Sequence, residues 1–472
     1  MQVVSDAPGL PAIAGAPTEP VPPVVTSARS ARRRRAAGLV LVSAIVLANA
    51  GVIVWLWAHG GNLTDKTTGD LFTGIASITG LLSAYLALIQ VLLLARIPAL
   101  ERLIGFDRLT VWHRWNGFAT VDLLVLHVVF SVWGYSLTDR ISIGSELSTM
   151  LGSGIYPGMI TATIGTVFLI AVAATSVVIA RRRLPYEWWY AVHLLAYAGI
   201  ALGWFHQIPT GNELVLDTLA ADYWRALYVG TIVLLVGFRV VAPAVQAFRH
   251  RLRVGEVVEE VPGVVSLRIT GRRLDRLRAV PGQFFLWRFL ARGQWMTARP
   301  FSLSAAPDGG SLRVTVKALG DHSARLAAVP VGTRVLAEGP FGVFTDRTRR
   351  LEKALLVAGG IGITPIRALM ESDGPDVAVI YRALSSDDVV FRAELDALAR
   401  SRGITLHYVV GDHAAPNGRD LLSPARLREL VPDLGEREVY VCGPPAMTDV
   451  AVRDIRAAGV PRRHVHIERF AL

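Results

Sequence analysis

Long apolar runs in the first half of the chain constrain its fold more than any other feature. A bilayer core offers backbone groups no hydrogen-bonding partner, so a run of about 20 apolar residues within it must form a helix. The excess of apolar residues, which raises the mean hydropathy of the whole chain to +0.42, lies before residue 250. The sequence therefore predicts six membrane spans, at 38–58, 71–95, 112–134, 158–180, 186–207 and 222–246.

Basic residues flank alternate ends of these runs. Cytoplasmic loops of membrane proteins carry an excess of Lys and Arg, so the N-terminus and everything after residue 250 are predicted to be cytoplasmic. This distribution explains the net charge of +11, and we expect a lipid bilayer and no nucleic acid as partner. The basic clusters are Arg32–Arg35, Arg96, Arg102, Arg108, Arg181–Arg183, Arg249, Arg251 and Arg253.

The N-terminal segment 1–36 is rich in Ala, Pro, Val and Ser, a composition typical of a disordered cytoplasmic tail. Ala48-Asn49-Ala50 resembles the cleavage site of a signal peptide. However, the apolar run continues through Gly51–Ala58, which favours an uncleaved anchor in the cell membrane. The predicted six-helix membrane domain then covers residues 37–248.

Four histidines lie within two of the predicted spans: His113 and His127 in the third, His193 and His206 in the fifth. Spacings of 14 and 13 residues correspond to about 21 and 20 Å of helix. Two such helices side by side would present one histidine pair near each face of a core about 30 Å thick. Imidazole suits iron as an axial ligand, and ionisable groups in spans are usually functional. The alternative is polar residues in the bundle without a metal.

The spacing of 14 residues leaves His113 and His127 about 40° from alignment on one helix face. The spacing of 13 aligns His193 and His206 poorly, so that helix needs a bend, a π-bulge or divergent side-chain directions. Because both spans run outward, an inner haem should use His113/His193 and an outer haem His127/His206. Arg114 and Arg239 either meet haem propionates or extend to the membrane interface.

Past residue 250 the pattern changes to two further domains. Residues 250–347 contain short β-like runs, such as Val264–Ile269, Gln283–Phe289 and Leu312–Val316, which predict an antiparallel β-barrel. Residues 350–472 alternate apolar strands with helical stretches near 365–371, 388–401, 423–431 and 445–458, which predicts an α/β domain with a parallel sheet. The strands are Ala354–Ala358, Val377–Tyr381, Ile404–Val410 and Glu438–Val441.

Arg299-Pro300-Phe301-Ser302 lies in the predicted barrel. A flavin needs an aromatic against its ring, hydrogen bonds to its polar edge and a cation for its pyrophosphate, and Phe301, Ser302 and Arg299 have that chemistry. Ser323 adds a phosphate contact at a predicted helix start. Without further context, such a string is often only the end of a strand.

Two strand-end motifs lie in the α/β domain. Gly359-Gly360-Ile361-Gly362-Ile363-Thr364-Pro365 follows a strand and opens a helix, which brings backbone close to a pyrophosphate; the alternative is a tight turn. Cys442-Gly443-Pro444-Pro445 leaves room for a flat ring, although a buried cysteine alone is more often a packing residue. As the chain has one cysteine, it cannot by itself hold a cysteine-ligated iron–sulfur cluster or an intramolecular disulfide.

Together these motifs resemble the NADPH oxidase and ferric reductase superfamily over residues 70–472. That family joins a six-span bis-histidine haem domain to a ferredoxin–NADP reductase-type FAD and NAD(P) module. The resemblance implies that Phe470, in Glu468-Arg469-Phe470, covers the flavin and that Arg382 meets the 2′-phosphate, so NADPH is preferred to NADH. Gly360, Gly362, Thr364, Pro365, Cys442, Gly443 and Pro444 would then bind NAD(P)H.

The resemblance implies a transmembrane oxidoreductase that passes electrons from cytoplasmic NAD(P)H through FAD and two b-type haems to a small acceptor outside. The acceptor is dioxygen, giving superoxide, or ferric iron. A third hypothesis is a haem-free anchor that holds a flavin reductase for a partner protein. No EF-hand pattern is visible in the sequence, so no built-in calcium switch is expected.

Overall fold

The first half of the protein is helical, as expected from its apolar runs. The structure, a computed structural model, describes residues 25–62, 67–152, 154, 156–177, 184, 186–210, 215, 217–295, 298–372, 376–412 and 421–469. Its first-half helices are α1 (Val25–Trp57), α2 (Thr68–Leu93), α3 (Pro98–Ile104), α4 (Phe106–Asp139), α5 (Ile143–Gly152), α6 (Met159–Ser176), α7 (Tyr186–Thr210), α8 (Thr218–Val236) and α9 (Ala242–His250).

Apolar helices of membrane length account for five of the six predicted spans. Among the described residues, five stretches are long and apolar enough to cross a bilayer: Ala36–Gly60, Thr68–Leu93, Arg108–Asp139, Met159–Ser176 and Thr218–His250. The remaining predicted span, 186–207, is α7, whose 25 residues rise about 37 Å. The sequence of α7 contains histidines, tryptophans and tyrosines among its apolar residues, and α7 is not one of the five stretches above.

The structure differs from the predicted outline at three places. Helix α1 begins at Val25, so residues 25–36 of the predicted disordered tail are helical, and 1–24 lie outside the described residues. The short helices α3 and α5 were not predicted. Of the three alternatives considered for α7, the π-bulge is not found, since this helix is α-helical throughout. Among the described residues, the π-helical turns are Ala58–Asn62 and Gly237–Val241.

Glycines allow the membrane helices to approach closely. A Cβ on Gly134 of α4 would lie 2.7 Å from the Thr73 nitrogen of α2, and one on Gly165 of α6 would lie 2.8 Å from the Gly199 carbonyl oxygen of α7. Small residues at helix crossings are typical of membrane bundles, where packing rather than the hydrophobic effect drives association. The pairs α2–α4 and α6–α7 are therefore closely packed helix pairs of this half.

The second domain is the predicted antiparallel barrel. Sheets β1-β2-β5 and β4-β3-β6 are joined by the bridges Arg253↔Arg334 and Leu303↔Val314. Alternate side chains of β3 point into its core, since Phe285, Trp287 and Phe289 are buried. The strands are β1 (Arg253–Val261), β2 (Val264–Thr270), β3 (Phe284–Phe289), β4 (Arg299–Ser302), β5 (Ser311–Lys317) and β6 (Val335–Phe341), with the short helix α10 (Asp321–Ala324) after β5.

The third domain is a parallel five-stranded sheet in the order β11-β10-β7-β8-β9. From β7 the chain adds β8 and β9 on one side and then β10 and β11 on the other, so the strand order reverses between β7 and β10. Ligands of such sheets bind beyond the carboxyl ends of the strands at this switch point. The elements are β7 (Ala354–Gly359), α11 (Ile363–Met370), β8 (Val377–Ala383), α12 (Arg392–Arg402), β9 (Thr405–Val410), α13 (Pro424–Leu430), β10 (Glu438–Gly443), α14 (Pro445–Ala457) and β11 (Val465–Arg469).

Candidate functional site

The histidines His113 of α4 and His193 of α7 face each other; we call them the proximal pair. Their ring centroids are 6.0 Å apart with the planes tilted by 54°. The His113 Nδ1 lies 3.1 Å from the Gln90 carbonyl oxygen, which can only accept a hydrogen bond, so Nδ1 carries the proton and Nε2 is left with its lone pair. The His193 ring stacks on Trp189 at 4.9 Å.

The distal pair, His127 and His206, lies further along the same two helices, α4 and α7. His127 Nδ1 lies 2.8 Å from the Ala76 carbonyl oxygen of α2, and the His206 imidazole bonds to the backbone of Pro157 and interacts electrostatically with His127. A Cβ on Gly80 would lie 2.6 Å from His127 Nδ1. Only glycine there leaves space for the ring, so α2 both holds and accommodates this histidine.

The proximal pair fits a metal between its two imidazoles. Two metal–imidazole bonds of about 2 Å each, plus the distance from each nitrogen to its ring centre, span a separation comparable to that observed. Histidine ligands commonly donate their other ring N–H to a carbonyl, which fixes the tautomer and the ring plane; His113 and His127 both do so. The donor set and its orientation therefore suit two bis-histidine haems.

The two arginines considered for propionates lie in different settings. Arg114, beside His113 on α4, is exposed. Arg239 lies in the π-helical turn Gly237–Val241 and is close enough to Arg96 to repel it. Arg239 thus belongs to a basic group at the end of the membrane half that meets the barrel.

The flavin motif forms strand β4, paired antiparallel with β3, so that Ser302 lies opposite Phe284. Phe301 packs partly against the barrel core, and its carbonyl accepts a hydrogen bond of 3.0 Å from Trp287 Nε1. Ser302 is buried and Arg299 is half-buried. The strand is thus fixed at its backbone, with Arg299 and Phe301 on the same side.

Ser323 has a local role in the structure. Its hydroxyl accepts hydrogen bonds from the amides of Leu319 and Gly320, at 2.9 and 3.1 Å, and donates one to the Gly320 carbonyl. These bonds close the turn before α10. The predicted phosphate contact of Ser323 stays a proposal, and Phe470, the predicted cover of the flavin ring, lies outside the described residues.

The two glycine motifs meet at the carboxyl edge of the parallel sheet. A Cβ on Gly362 would overlap the Cys442 carbonyl oxygen, and one on Gly443 would lie 3.2 Å from the Gly359 Cα. Gly360 has a φ of 53°, in the left-handed region that favours glycine. Backbone therefore approaches backbone here, at the switch point between β7 and β10. We call this backbone surface, formed by Gly360, Gly362 and Gly443, the glycine floor, and it is where a dinucleotide would bind in such a sheet.

Residues around this floor are held by their own bonds. Thr364 Oγ1 donates to the Ile361 carbonyl at 3.1 Å, and Pro365 stands in the first turn of α11, which begins two residues earlier than predicted. Pro444 precedes α14 as its N-cap. Cys442 is fully buried in the core, and burial raises the pKa of its thiol, so the thiol is a packing group rather than a nucleophile.

Arg382 at the end of β8 is turned toward the protein. It is 8% exposed, and its Nη1 donates to the carbonyls of Ala383 and Val409, the latter at 3.2 Å. A guanidinium has five N–H donors, so others are available to a phosphate. Its contact with the 2′-phosphate stays a proposal.

A group of charged residues that the sequence did not reveal clamps the barrel to the α/β domain. Arg313 of β5 makes two bonds to the Glu394 carboxylate of α12, at 2.8 and 2.9 Å, and Arg367 of α11 binds the same carboxylate at 2.8 Å. Both arginines also donate to the Ser304 carbonyl. The partners are 81 and 27 residues apart in sequence, so no local pattern could have signalled them.

A second unpredicted contact region joins the barrel to the membrane half. Arg96, between α2 and α3, forms an ion pair with Glu338 of β6, and Gln246 Nε2 donates to the Gly339 carbonyl at 3.2 Å. The Phe106 ring, at the start of α4, meets the Phe284 ring edge-on at 6.5 Å. We call these contacts the junction; they put the barrel beside the end of α4 that carries His113.

Comparisons with known proteins agree with this division. The ferric reductase like transmembrane component family matches residues 79–204, which include three of the four histidines and end just before His206. The oxidoreductase NAD-binding domain family matches residues 356–453, which include both glycine motifs.

Relatives and solved structures match the C-terminal half. Ferredoxin--NADP reductase B of Sorangium cellulosum is 30% identical over 217 residues, 40% of this chain and 87% of that protein. The ferredoxin reductase component of 3-ketosteroid-9-alpha-monooxygenase from Mycolicibacterium smegmatis is 34% identical over 232 residues, 46% of this chain and 65% of that protein. The ferredoxin reductase in carbazole 1,9a-dioxygenase superimposes with a TM-score of 0.41 at 24% identity, covering 47% and 69%.

The chain therefore belongs to the ferredoxin–NADP reductase-type oxidoreductases, with a ferric reductase-like transmembrane component joined ahead of the FAD and NAD(P) module. The predicted fold class, a membrane helical domain followed by a barrel and an α/β domain, is confirmed.

Proposed function

We propose that this membrane-embedded reductase passes electrons from cytoplasmic NAD(P)H to a small acceptor on the opposite side of the cell membrane, dioxygen or ferric iron. In this proposal the proximal pair faces the cytoplasm and the distal pair faces outward, as the arginine-rich loops predict. The reductase module and the N-terminus are then cytoplasmic.

The junction is the observation that carries the proposal. Strand β4, with the flavin motif, pairs with β3, and Phe284 of β3 touches Phe106 of α4. Phe106 precedes His113 by seven residues, which is two helical turns or about 10 Å. Strand β3 therefore lies between the flavin strand and α4, the helix that carries His113 and, further along, His127.

In this proposal each group of residues binds or orients one cofactor. His113/His193 and His127/His206 would hold the two b-type haems, with carbonyls of α2 fixing the rings of His113 and His127. Arg299, Phe301, Ser302, Ser323 and Phe470 would bind FAD. The NAD(P)H site would comprise Gly360, Gly362, Thr364, Pro365, Arg382, Cys442, Gly443 and Pro444.

These cofactors supply chemistry that side chains lack, because a flavin turns the two electrons of a hydride into single electrons and each haem carries one. The chain's own contribution is geometric. The glycine floor brings the nucleotide to the sheet edge, the clamp holds the two reductase domains at one relative orientation, and the helices exclude water around the histidines.

The test is the visible spectrum of the full chain, reduced with NADPH or NADH in detergent, followed by acceptor assays. We expect a b-type haem spectrum that His113→Ala and His193→Ala reduce, whereas the matched control His59→Ala, at an exposed position, leaves it intact. A chain that reduces its flavin but shows no haem would contradict the proposal and favour the haem-free anchor.

The acceptor assay separates the two remaining activities. A reporter signal that is sensitive to superoxide dismutase and needs no iron would identify dioxygen as acceptor. Stopped-flow reoxidation that requires ferric chelate would identify ferric iron, and the relative rates with NADPH and NADH would report the role of Arg382.

A further inference from the structure

Helix α5 buries a carboxylate where an apolar side chain would be expected. Ile143 and Leu147 are 55% and 46% exposed, whereas Glu146 is fully buried. A helix that rests on a bilayer directs its apolar face toward lipid, which leaves its polar face against the protein. Glu146 is therefore aimed into the membrane half, at the end far from the reductase module.

The surroundings of Glu146 offer no cation to compensate its charge. Within the described part of the chain, no donor reaches either of its carboxylate oxygens, and its neighbour is the Asp139 carboxylate of α4, which repels the charged form and hydrogen-bonds the protonated form. Burying an unpaired charge is costly, so such a group keeps a proton instead. Burial, and then Asp139, raise the pKa of Glu146.

Among the residues that the structure describes, every other titratable group that faces this site is neutral at physiological pH or acidic. Tyr135 of α4 and Tyr156 of the turn before α6 interact electrostatically with both carboxyl groups, and their rings meet edge-on at 5.5 Å. Helix α6 contributes no charged side chain. Arg140, which caps α4, is exposed.

The site is connected to the distal histidine pair. Tyr156 is followed by Pro157, whose backbone bonds the His206 imidazole, and a Cβ on the next residue, Gly158, would lie 3.1 Å from the His206 Cα. The same short turn thus touches the acidic site on one side and a predicted haem ligand on the other.

We propose that Glu146 stores a proton beside the distal pair and donates it to the acceptor that is reduced there. The inference rests on the proposed function, which places acceptor reduction at this end. It favours an acceptor that takes up a proton together with an electron, namely dioxygen, over ferric iron.

The step balances as a proton transfer to the one-electron product of dioxygen. Superoxide takes the proton as the carboxyl O–H bond breaks and the O–H bond of hydroperoxyl forms. Glu146 is left as a carboxylate and regains a proton from water by way of Asp139, which is exposed. Two hydroperoxyl radicals then give hydrogen peroxide and dioxygen.

The first test needs no electron flow. Glu101, whose pKa burial raises to about 7, would also contribute an acid band, so the test uses the full chain with Glu101→Gln in lipid nanodiscs at neutral pH. Its infrared spectrum should contain the carbonyl band of a protonated carboxylic acid. Glu146→Gln should remove this band and Glu146→Asp should keep it. Asp222→Asn, an exposed carboxylate with an Arg225 partner, is the matched control and should leave it unchanged. A band that persists in Glu146→Gln would overturn the proposal.

The second test measures products as the external pH is raised from acidic to neutral. The wild-type chain should keep its share of hydrogen peroxide over superoxide, whereas Glu146→Gln should lose that share at neutral pH and recover it in acid. An ionised Glu146 that binds Ca²⁺, with the acid band absent, would identify a cation site and refute the proton store. If the band is present but no electrons cross, the proposed function fails and the protonated site stands.

Discussion

The membrane half and the α/β domain build their candidate cofactor sites from different parts of the residue. In the membrane half the binding groups are imidazole side chains, and α2 carbonyls hold two of them. At the sheet edge the site is backbone, since a Cβ on Gly362 would overlap the Cys442 carbonyl oxygen and one on Gly443 would lie 3.2 Å from the Gly359 Cα. The first kind of site fails when a functional group is removed, and the second when any atom is added.

The largest expected effect tests the candidate site of the membrane half, where the binding groups are side chains. His127→Ala should remove one of the two haems, with loss of about half of the haem absorbance, and should abolish transfer to the external acceptor while NAD(P)H still reduces the flavin. Haem content per flavin and acceptor reduction are the measurements. Unchanged haem content would mean that the distal pair is not a haem site.

The next largest effect tests the candidate site at the sheet edge, which is formed by backbone. Gly362→Ala would drive a methyl group into the Cys442 carbonyl oxygen and push the turn away from β10. Since a misplacement of about 1 Å can cost about 100-fold in rate, we expect flavin reduction by NAD(P)H to fall by about that factor with haem content intact. Gly435→Ala, where a Cβ meets nothing within 4 Å, is the control, and equal rates in both variants would refute the close-approach argument.

The junction between the membrane half and the barrel should respond to pH. Burial raises the pKa of Glu101 in α3 from 4.5 to about 7, although Arg96 opposes the shift. The folded protein therefore keeps a proton that the unfolded chain loses, so stability should fall as pH rises from 4.5 to about 7, by at most about 1.4 kcal/mol per unit.

Thermal unfolding in detergent across that pH window measures this effect. Glu101→Gln should flatten the decline, whereas Glu352→Gln, at an exposed position, should not. A Glu101→Gln profile identical to that of the wild type would show that the junction does not titrate through this residue.

The smallest expected effect concerns the clamp within the reductase module. Burial alone would raise the pKa of Glu394, but Arg313 and Arg367 hold it below its usual value. The clamp thus stabilises the folded protein above the usual carboxyl pKa, and this contribution is lost as pH falls through the lowered value.

Glu394→Gln should lower stability by about 1 kcal/mol, a figure discounted because the Glu394 side chain is 39% exposed and therefore screened. Flavin release on heating measures it. Glu429→Gln, in an exposed pair with Arg426, should change the release temperature little. A release temperature unaffected by Glu394→Gln would indicate that the two domains are held by packing alone.

Regular elements were predictable because their signals are local. The strands at 354–358 and 377–381 were recognised from short apolar runs, and they are β7 and β8, each extended by one or two residues. The pairing of His113 with His193 followed from spacing and span direction, and the structure brings these two rings together.

Contacts between distant residues were not predictable. The Glu394 clamp and the Arg96–Glu338 pair join residues far apart in sequence, and each arginine alone looks like a surface charge. Glu146 was missed for a related reason: its amphipathic helix shows which residues are polar, but not that a bilayer would receive the apolar side.

The sequence by itself determined the membrane helices, the order of the domains and the identity of the histidine and glycine motifs. These depend on residue type and local periodicity, because a bilayer forces apolar runs into helices and glycine alone permits certain turns. Only the tertiary structure decided which carbonyls orient the imidazoles, how the barrel meets α4 and where Glu146 is buried. Such features arise from packing between separate elements, where distance and exclusion of water, rather than residue type, determine the strength of an interaction.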